Sequence, residues 1–470
     1  MHVLIRFDTI TAMTITVSVV GAGYVGLTTA VLLANAGIKT HLIDIDERKI
    51  KIIKSGKSHF YEAGLDELIA KAISDQTLLP TLKYQLAMKD VDIVISCVGT
   101  PDNPDGSSNM QYIYEAARSV ASNIAKPIVY AQKSTVPVGT GKSLEEIFAK
   151  EFPKAKIDYV SNPEFLREGS AIVDSLFSDR IVMGGKNSQA IKALEEMYHQ
   201  IDKSKFELAK LCGIDTASFK DHKPNIITNS LESSELIKVT ANAFLALKIS
   251  FANSIAKLAD AAGADILEVM DGVGVDKRIG RAFLNAGRGY GGGCFPKDVS
   301  GLINAANDYG VDLHIMGAAT EVNSSMPGYI VNLAKEAIGD GLDTKQVAVL
   351  GLSFKAGTSD ARQSPSVAIA NLLAHEGAKV LAYDPHANGE AKDDLNRKVK
   401  LVETVSEALQ DSEVVFVATD WTEFKELDYA TESGRSIKLV VDCMNAIKPE
   451  AIESQGLSYL GVGRGFGSVL

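Results

Sequence analysis

Short runs of consecutive apolar residues, each closed by a glycine or a turn, alternate along this chain with longer stretches of helical pattern. Residues 14–20, Thr-Ile-Thr-Val-Ser-Val-Val, are β-branched and predict a buried strand. The turn Gly21-Ala22-Gly23-Tyr24-Val25-Gly26 follows at once, and residues 27–36 predict an apolar helix stopped by Gly37. Lys39–Ile43 reads as a second strand with Asp44 at its end, 18 residues beyond Gly26. Residues 91–98 form another apolar run, ending in Gly99-Thr100-Pro101. Residues 128–131 form a further one, ending in Lys133-Ser134-Thr135-Val136-Pro137. Both endings fall at C-terminal strand edges, where open parallel sheets hold their ligands.

The pattern returns late in the chain. Gln346–Leu350 predicts a strand, residues 351–355 a turn, residues 364–375 a helix stopped by Gly377, and Lys379–Tyr383 a strand ending at Asp384. Val414–Val417, followed by Ala418-Thr419-Asp420, matches the run at 91–98. The two halves read as variants of one βαβ theme. The second lacks the G-x-G-x-x-G turn, so a different nucleotide, or none, fits there. Between the halves, residues 233–262 lack Gly and Pro and predict one helix about 45 Å long. Lys238 and Asn242 are four apart on it and share a face. Residues 203–224 are polar and irregular in pattern and read as an insertion. The expected fold class is α/β, with two Rossmann-like doubly wound domains joined by a long central helix.

Composition narrows the function. A formal net charge of −11 argues against general nucleic-acid binding. No apolar run approaches a membrane span, and the first residues lack a secretory core, so a cytoplasmic setting without membrane partner is expected. Residues 1–12, ahead of Met13, read as an N-terminal extension. The four cysteines, Cys97, Cys212, Cys294 and Cys443, have no C-x-x-C spacing, so neither a disulfide framework nor a metal site is expected.

Two segments carry chemistry. In the first turn, Gly21 permits the tight bend, Gly23 lets a pyrophosphate approach the backbone, and Gly26 lets helix and strand pack closely. The helix N-terminus then faces the phosphates. Asp44 would accept hydrogen bonds from a ribose 2′-hydroxyl and repel a 2′-phosphate, which favours NAD over NADP. The second segment is Gly287-Arg288-Gly289-Tyr290-Gly291-Gly292-Gly293-Cys294-Phe295-Pro296-Lys297-Asp298. Pro296 suits the first position of a helix, which puts Cys294 at a helix N-terminus. The dipole there and nearby Lys297 would favour the thiolate, the nucleophilic form. Cys97, Cys212 and Cys443 read as buried structural cysteines. A reactive thiolate together with NAD implies oxidation of an aldehyde through a thioester to an acid. An aldehyde made in the same pocket from an alcohol would consume two NAD.

These motifs resemble the nucleotide-sugar 6-dehydrogenases of the UDP-glucose/GDP-mannose dehydrogenase family, and most closely those acting on UDP-glucose. The resemblance runs from about residue 14 to about 450. It rests on GAGYVGL at 21–27, CVGTP at 97–101, KSTVPVGT at 133–140 and SNPEFLREGSAI at 161–172. It continues with ELIKVTANAFLALKISFAN at 235–253, GRGYGGGCFPKD at 287–298 and GLSFKAGTSDARQSP at 351–365. The resemblance implies the four-electron oxidation of UDP-glucose by two NAD and water to UDP-glucuronate, a sugar of polysaccharide biosynthesis. It implies an NAD-binding Rossmann domain at 13–230, including the insertion. A central helical dimerisation region with the cysteine loop follows at 231–330, and a UDP-sugar-binding Rossmann-like domain at 331–470.

The resemblance also assigns roles. Cys294 falls on the nucleophile, and Lys238 and Asn242 on the pair that stabilises the oxyanion at C6 and touches substrate. Asp298 and Thr135 fall on residues that hold water or relay protons. Glu164 falls on the carboxylate of thioester hydrolysis. Val25, Lys49, Thr100, Thr135, Glu168, Lys297 and Arg362 match cofactor-contacting positions. Glu164, Phe165, Leu166 and Arg167 match substrate contacts, as do Phe283, Leu284, Asn285, Ala286, Gly287, Gly291 and Lys355. Lys355 supplies positive charge for a diphosphate. Arg278 matches an arginine that reaches a neighbouring subunit's site, which implies a homodimer or a larger homo-oligomer.

The chain departs from the family at three places. Gly292-Gly293-Cys294 stands where Gly-Ser-Cys is usual, Asp442-Cys443-Met444-Asn445 stands where D-G-R-N is common, and the insertion has no family role. The alternatives are a UDP-N-acetylhexosamine or GDP-mannose 6-dehydrogenase, or a non-catalytic NAD-binding scaffold. The N-acetylhexosamine enzymes tend to have His before the cysteine, where this chain has Gly293.

Overall fold

The computed structural model describes residues 15–432 and 436–465, so the extension at 1–12 lies outside the described residues. The chain divides into two compact units. One holds the residues up to Pro101 and Asn109–Lys238, the other Asp102–Ser108 and the residues from Val239 onward.

The first unit is built on an eight-stranded sheet. Its strands are β1 (Thr16–Val20), β2 (Lys39–Ile43), β3 (Leu78–Thr81), β4 (Ile93–Ser96), β5 (Ile128–Gln132), β6 (Ile157–Ser161), β7 (Arg180–Gly185) and β8 (Asn225–Asn229). The order is β3-β2-β1-β4-β5-β6-β7-β8, parallel throughout except between β6 and β7. Alternate residues feed opposite cores. Val17 and Val19 join Ile93 and Ile95 under one face, while Val20 joins Val94 under the other. Burial of both faces is why these strands read as continuous apolar runs. The chain reverses direction across the sheet between β1 and β4, which is where a doubly wound sheet binds ligand.

The second unit repeats the plan with six parallel strands: β9 (Gln346–Leu350), β10 (Lys379–Tyr383), β11 (Lys400–Leu401), β12 (Val414–Val417), β13 (Leu439–Asp442) and β14 (Ser458–Gly461). Their order, β11-β10-β9-β12-β13-β14, is that of the first six strands of the other sheet. Helices Phe295–Asp308 and His314–Ile338 precede this sheet in the chain.

Two expectations need correction. The segment at 203–224 is not irregular throughout, because helix Ser188–Leu211 runs nine residues into it and β8 follows it to pair with β7. The helix was hidden by Lys205, a charged residue on the inward side. Its Nζ donates to Asp202 and to the His222 carbonyl, both at 2.7 Å, and faces the rings of Phe177 and Phe206. The central helix, Leu231–Ala262, is about 48 Å long and passes from one unit into the other. An 18-residue window of it has a mean hydropathy of 1.2, enough by length and composition for a membrane span. Yet its Ser234, Glu235, Lys238, Asn242, Ser250 and Asn253 are buried, each with a polar partner in the protein. That is the pattern of a core helix.

Candidate active site

The glycine turn has the geometry its sequence predicts. Gly21 sits at φ +99°, and a Cβ there would lie 2.7 Å from the Cys97 carbonyl oxygen. A Cβ on Gly26 would collide with the Gly21 carbonyl, so strand and helix meet at glycine contact distance. Gly23 is different. It caps the helix Tyr24–Asn35, no protein atom lies within 4 Å of where its Cβ would stand, and no side chain caps the helix. The first turn carries no acidic residue, so its amides face outward uncompensated. Asp44 closes the turn by accepting from the Ala22 amide at 2.7 Å and the Asp46 amide at 2.9 Å. An unobstructed backbone cradle beside a carboxylate suits a dinucleotide without a 2′-phosphate. Val25 and Lys49 are half-buried near this turn's two ends, and the Thr100 hydroxyl donates to the Thr135 carbonyl at 3.0 Å.

The second functional group of the first unit lies after β6. Glu164 and Lys238 are both buried and form an ion pair at 3.0 Å. Lys238 also faces the Phe165 ring at 5.4 Å, whose π-system the Arg180 guanidinium covers at 3.9 Å. The other Glu164 oxygen accepts from the Leu166 amide at 2.6 Å. Arg167 turns outward to Asp174. Glu168 lies next to Gly169, whose amide donates to Glu62 at 2.8 Å and to the Tyr24 hydroxyl. Tyr24 in turn donates to Glu62 and stacks on Phe60. Burial pushes the Glu62 carboxyl up.

In the second unit, Cys294 caps the helix Phe295–Asp308 and is exposed, with Pro296 in the first turn. Cys97 and Cys443 are buried, and burial pushes the Cys97 thiol up to about 12. Cys212 is half-buried rather than buried, because it ends helix Ser188–Leu211 against Gly64, and its thiol is pushed up to about 11 by desolvation. Asp298, one turn after Cys294, is buried. It accepts from the Asn242 amide at 2.6 Å and pairs with Lys297 at 2.7 Å. Asn242 and Lys238 are thus one helical turn apart, each anchored by a carboxylate of its own unit.

The glycine loop is pinned by close contacts. A Cβ on Gly287 would meet the Cys443 carbonyl at 2.7 Å, with Met444 beside it, and one on Gly291 would collide with the Gln363 carbonyl. The Arg362 guanidinium lies where a Cβ on Gly293 would stand. Arg362 pairs with Asp360 at 2.6 Å. Phe283 adopts φ +65°, Leu284 and Ala286 are buried, and Asn285 accepts from Arg281. The Gly287 amide donates to Asn253. Lys355 projects beside the Phe354 ring. Arg278 is exposed and paired with Asp276.

The second half repeats the first turn and then closes it. The Gly351 amide donates to the Tyr383 carbonyl at 2.7 Å, as Gly21 does to Ile43 at the same distance. Asp384, in the place of Asp44, accepts from the Leu352 and Ser353 amides, the Ser353 hydroxyl and the Trp421 indole. It is buried, so it has no edge to offer a ribose.

Sequence reasoning gave no role to Arg288, although it lies in the cysteine loop. It is fully buried and donates to the Ala418 and Phe354 carbonyls, fastening the loop to the edge of the second sheet. Burial lowers its guanidinium to about 10. Glu62 and Glu235, two buried carboxylates, were likewise passed over. Glu235 sits among Glu232, Ser233 and Ser234, so its surroundings in sequence gave no signal of burial.

Comparison with known proteins fits this geometry. The NAD-binding, central and UDP-binding domain models of the UDP-glucose/GDP-mannose dehydrogenase family match residues 15–202, 232–325 and 348–449. The UDP-glucose 6-dehydrogenase YwqF of Bacillus subtilis (strain 168) is 38% identical over 450 residues, covering 95% of this chain and 97% of that protein. The UDP-glucose 6-dehydrogenase of Rhizobium meliloti (strain 1021) is 36% identical over 458 residues, covering 95% and 99%. A solved UDP-glucose dehydrogenase from Pyrobaculum islandicum superposes with a TM-score of 0.84 at 35% identity, covering 98% and 99%. With all three domains matched in order, and relatives this similar over nearly the whole length, the chain belongs to the UDP-glucose/GDP-mannose dehydrogenase family and is an NAD-dependent oxidoreductase.

Proposed function

We propose that this protein oxidises the C6 alcohol of UDP-glucose to the carboxylate, converting UDP-glucose, two NAD and water into UDP-glucuronate and two NADH. The observation that carries the reading is Cys294, the one exposed cysteine among the described residues, placed at the start of a helix within the glycine loop. The matched UDP-binding domain and the UDP-glucose enzymes among the relatives support the substrate.

The glycine turn, Asp44, Lys49, Thr100, Thr135, Glu168, Lys297 and Arg362 would hold NAD, which would supply the hydride acceptor for both oxidations. The protein's residues do the rest. Asp298 and Thr135 hold water or relay the proton that leaves O6 as hydride leaves C6 in the first oxidation. The Cys294 thiolate adds to C6 of the aldehyde, and the thiohemiacetal oxyanion is met by the Lys238 ammonium and the Asn242 amide. Loss of hydride from C6 leaves a thioester on Cys294. Glu164 activates a water that adds to the thioester carbonyl. The C–S bond breaks, and thiolate and carboxylate are released. The ion pair with Lys238 holds the Glu164 carboxylate in place, and Lys238 keeps a cation beside C6 in both oxidations.

The loop 283–287, Gly291, Lys355 and the segment Glu164–Arg167 hold the nucleotide sugar, so the UDP moiety belongs to the second half and the 13–230 region to NAD. A second copy of the chain docks on the central helix, where Phe244, Phe251 and Leu258 repeat every seven residues, all exposed. Arg278 then reaches the neighbouring copy's substrate.

The test is a panel of UDP-glucose, UDP-N-acetylglucosamine, UDP-N-acetylmannosamine and GDP-mannose, followed by NADH absorbance. UDP-glucose should give two NADH per acid formed, and Cys294→Ala should abolish turnover. Preference for an N-acetylated or GDP sugar would overturn the substrate, and full turnover by Cys294→Ala would overturn the thioester route.

A further inference from the structure

The first turn of the central helix is gripped by three buried polar contacts in succession. Ser234 donates to the Ser161 carbonyl on β6 at 3.1 Å. Glu235, 2% exposed, accepts from the Gly139 amide through one oxygen and from the Gly141 amide through the other, each at 2.7 Å. Lys238 pairs with Glu164. The middle contact does something the other two do not. Gly139 and Gly141 open the helix Thr140–Glu151, which has no side-chain cap of its own. The carboxylate from a different helix serves as that cap. It thereby ties the end of the segment at 133–140, which carries Thr135, to the helical turn that carries Lys238. Gly141 is what permits the approach, since a Cβ there would lie 2.7 Å from the Tyr159 ring and 3.1 Å from the Glu235 oxygen.

We propose that Glu235 is a positioning residue, whose ionised carboxylate holds the Thr135 segment in register with Lys238. The role rests on the reaction proposed above for Thr135 and Lys238, and the clamp itself rests on geometry alone. A carboxylate offers two full acceptors to the two amides, whereas the neutral acid offers one good acceptor and one weak one. Desolvation pushes the Glu235 carboxyl up to about 7, against the two amides, which pull it down. The titratable groups around it are Glu232 on its own helix, Tyr159 on β6, Tyr130 on β5 and Glu145 on the helix it caps. Both tyrosines are buried and their hydroxyls stay neutral, and among the described residues no cation acts on Glu235 to hold it ionised at lower pH. The two-acceptor carboxylate is therefore the form present above about 7, and because burial raises this carboxyl, its contribution to stability is largest below that pH and is lost as pH rises through it.

Two measurements test this on the full-length protein. In Glu235→Gln, kcat should fall about tenfold while both KM values change little, the loss expected from one charge-assisted hydrogen bond. The ionisation near 7 should also vanish from the acid limb of the kcat profile. Ser234→Ala, which removes an equally buried neighbouring contact, should lower stability and leave that limb in place. An acid limb identical in wild type and Glu235→Gln would overturn the proposal. Hydrogen exchange at the Gly139 and Gly141 amides of the wild-type protein reads the clamp without a substrate. After correction for intrinsic rates, protection should be lower one pH unit above the transition than one unit below, because burial of the charged carboxylate favours opening, and equal protection would overturn the clamp even if Glu235→Gln failed to fold. Failure of the wild type to oxidise UDP-glucose would refute the reaction instead, leaving the exchange result to decide the clamp.

Discussion

Lys238 and Glu164 are one pair of side chains that bears on stability and, in the proposed reaction, on chemistry. Each is nearly inaccessible to solvent, and each is the other's counter-ion. Removing one partner strands the other's charge in the interior, at a cost of about 3–5 kcal/mol. Lys238→Ala should therefore lower the denaturant midpoint as well as slow turnover, the latter by about 10²–10³-fold if an oxyanion at C6 loses its cation. The double variant Lys238→Ala, Glu164→Gln should regain part of the lost stability without regaining rate, a separation that a double-mutant cycle measures. Glu164→Gln alone leaves Cys294 intact and weakens activation of the hydrolytic water. It should accumulate a thioester, seen in intact-protein mass spectrometry as one added UDP-sugar acyl group on Cys294. Normal turnover without an adduct would remove Glu164 from the hydrolytic step.

The two glycine-turn elements begin alike and diverge at one side chain's environment. Both first glycines donate to the end of the neighbouring strand, and both following strands end in aspartate. Asp44 is half-buried, with two backbone amides on its oxygens and room at its edge, whereas Asp384 is enclosed by two amides, a hydroxyl and an indole. Only the first can receive a ribose diol. A carboxylate facing a 2′-phosphate in a partly buried site costs on the order of 3 kcal/mol, so kcat/KM for NADP should be about 100-fold below that for NAD. Asp44→Ala should narrow that ratio, mainly through a weaker KM for NAD. Comparable efficiency with both cofactors in the wild type would contradict the reading of Asp44.

For the whole molecule, the central helix is the element with two kinds of surface. Its polar residues turn inward to named partners, and its large apolar residues Phe244, Phe251 and Leu258 turn outward. Large apolar side chains spaced by heptads and left in water cost roughly 25 cal/mol per Å², which is the ground for the second copy proposed above. Phe251→Asp should shift the protein to a smaller species in sedimentation velocity. If Arg278 completes a neighbour's site, the same variant should lose activity in parallel with assembly. A Phe251→Asp protein unchanged in mass would move the interface elsewhere.

The sequence by itself determined the strands that open each half and the turns that follow them. Short, largely apolar runs, ended by Asp44 after β2, Gly351 after β9, Asp384 after β10 and Ala418-Thr419-Asp420 after β12, placed these four strands to the residue. The glycine turn and the cysteine at a helix start were equally legible, since backbone geometry there tolerates few residue types. What escaped was decided by charged residues turned inward. Lys205 disguised the helix through Leu211, Arg288 had no visible role, and Glu235 gave no sign that it would cap a helix some ninety residues earlier in the chain. Local pattern records whether a position is polar, not where its partner lies. An ion pair such as Lys238 with Glu164 is made by the packing of a helix against a sheet edge 74 residues away in sequence, and only the tertiary structure brings the two together.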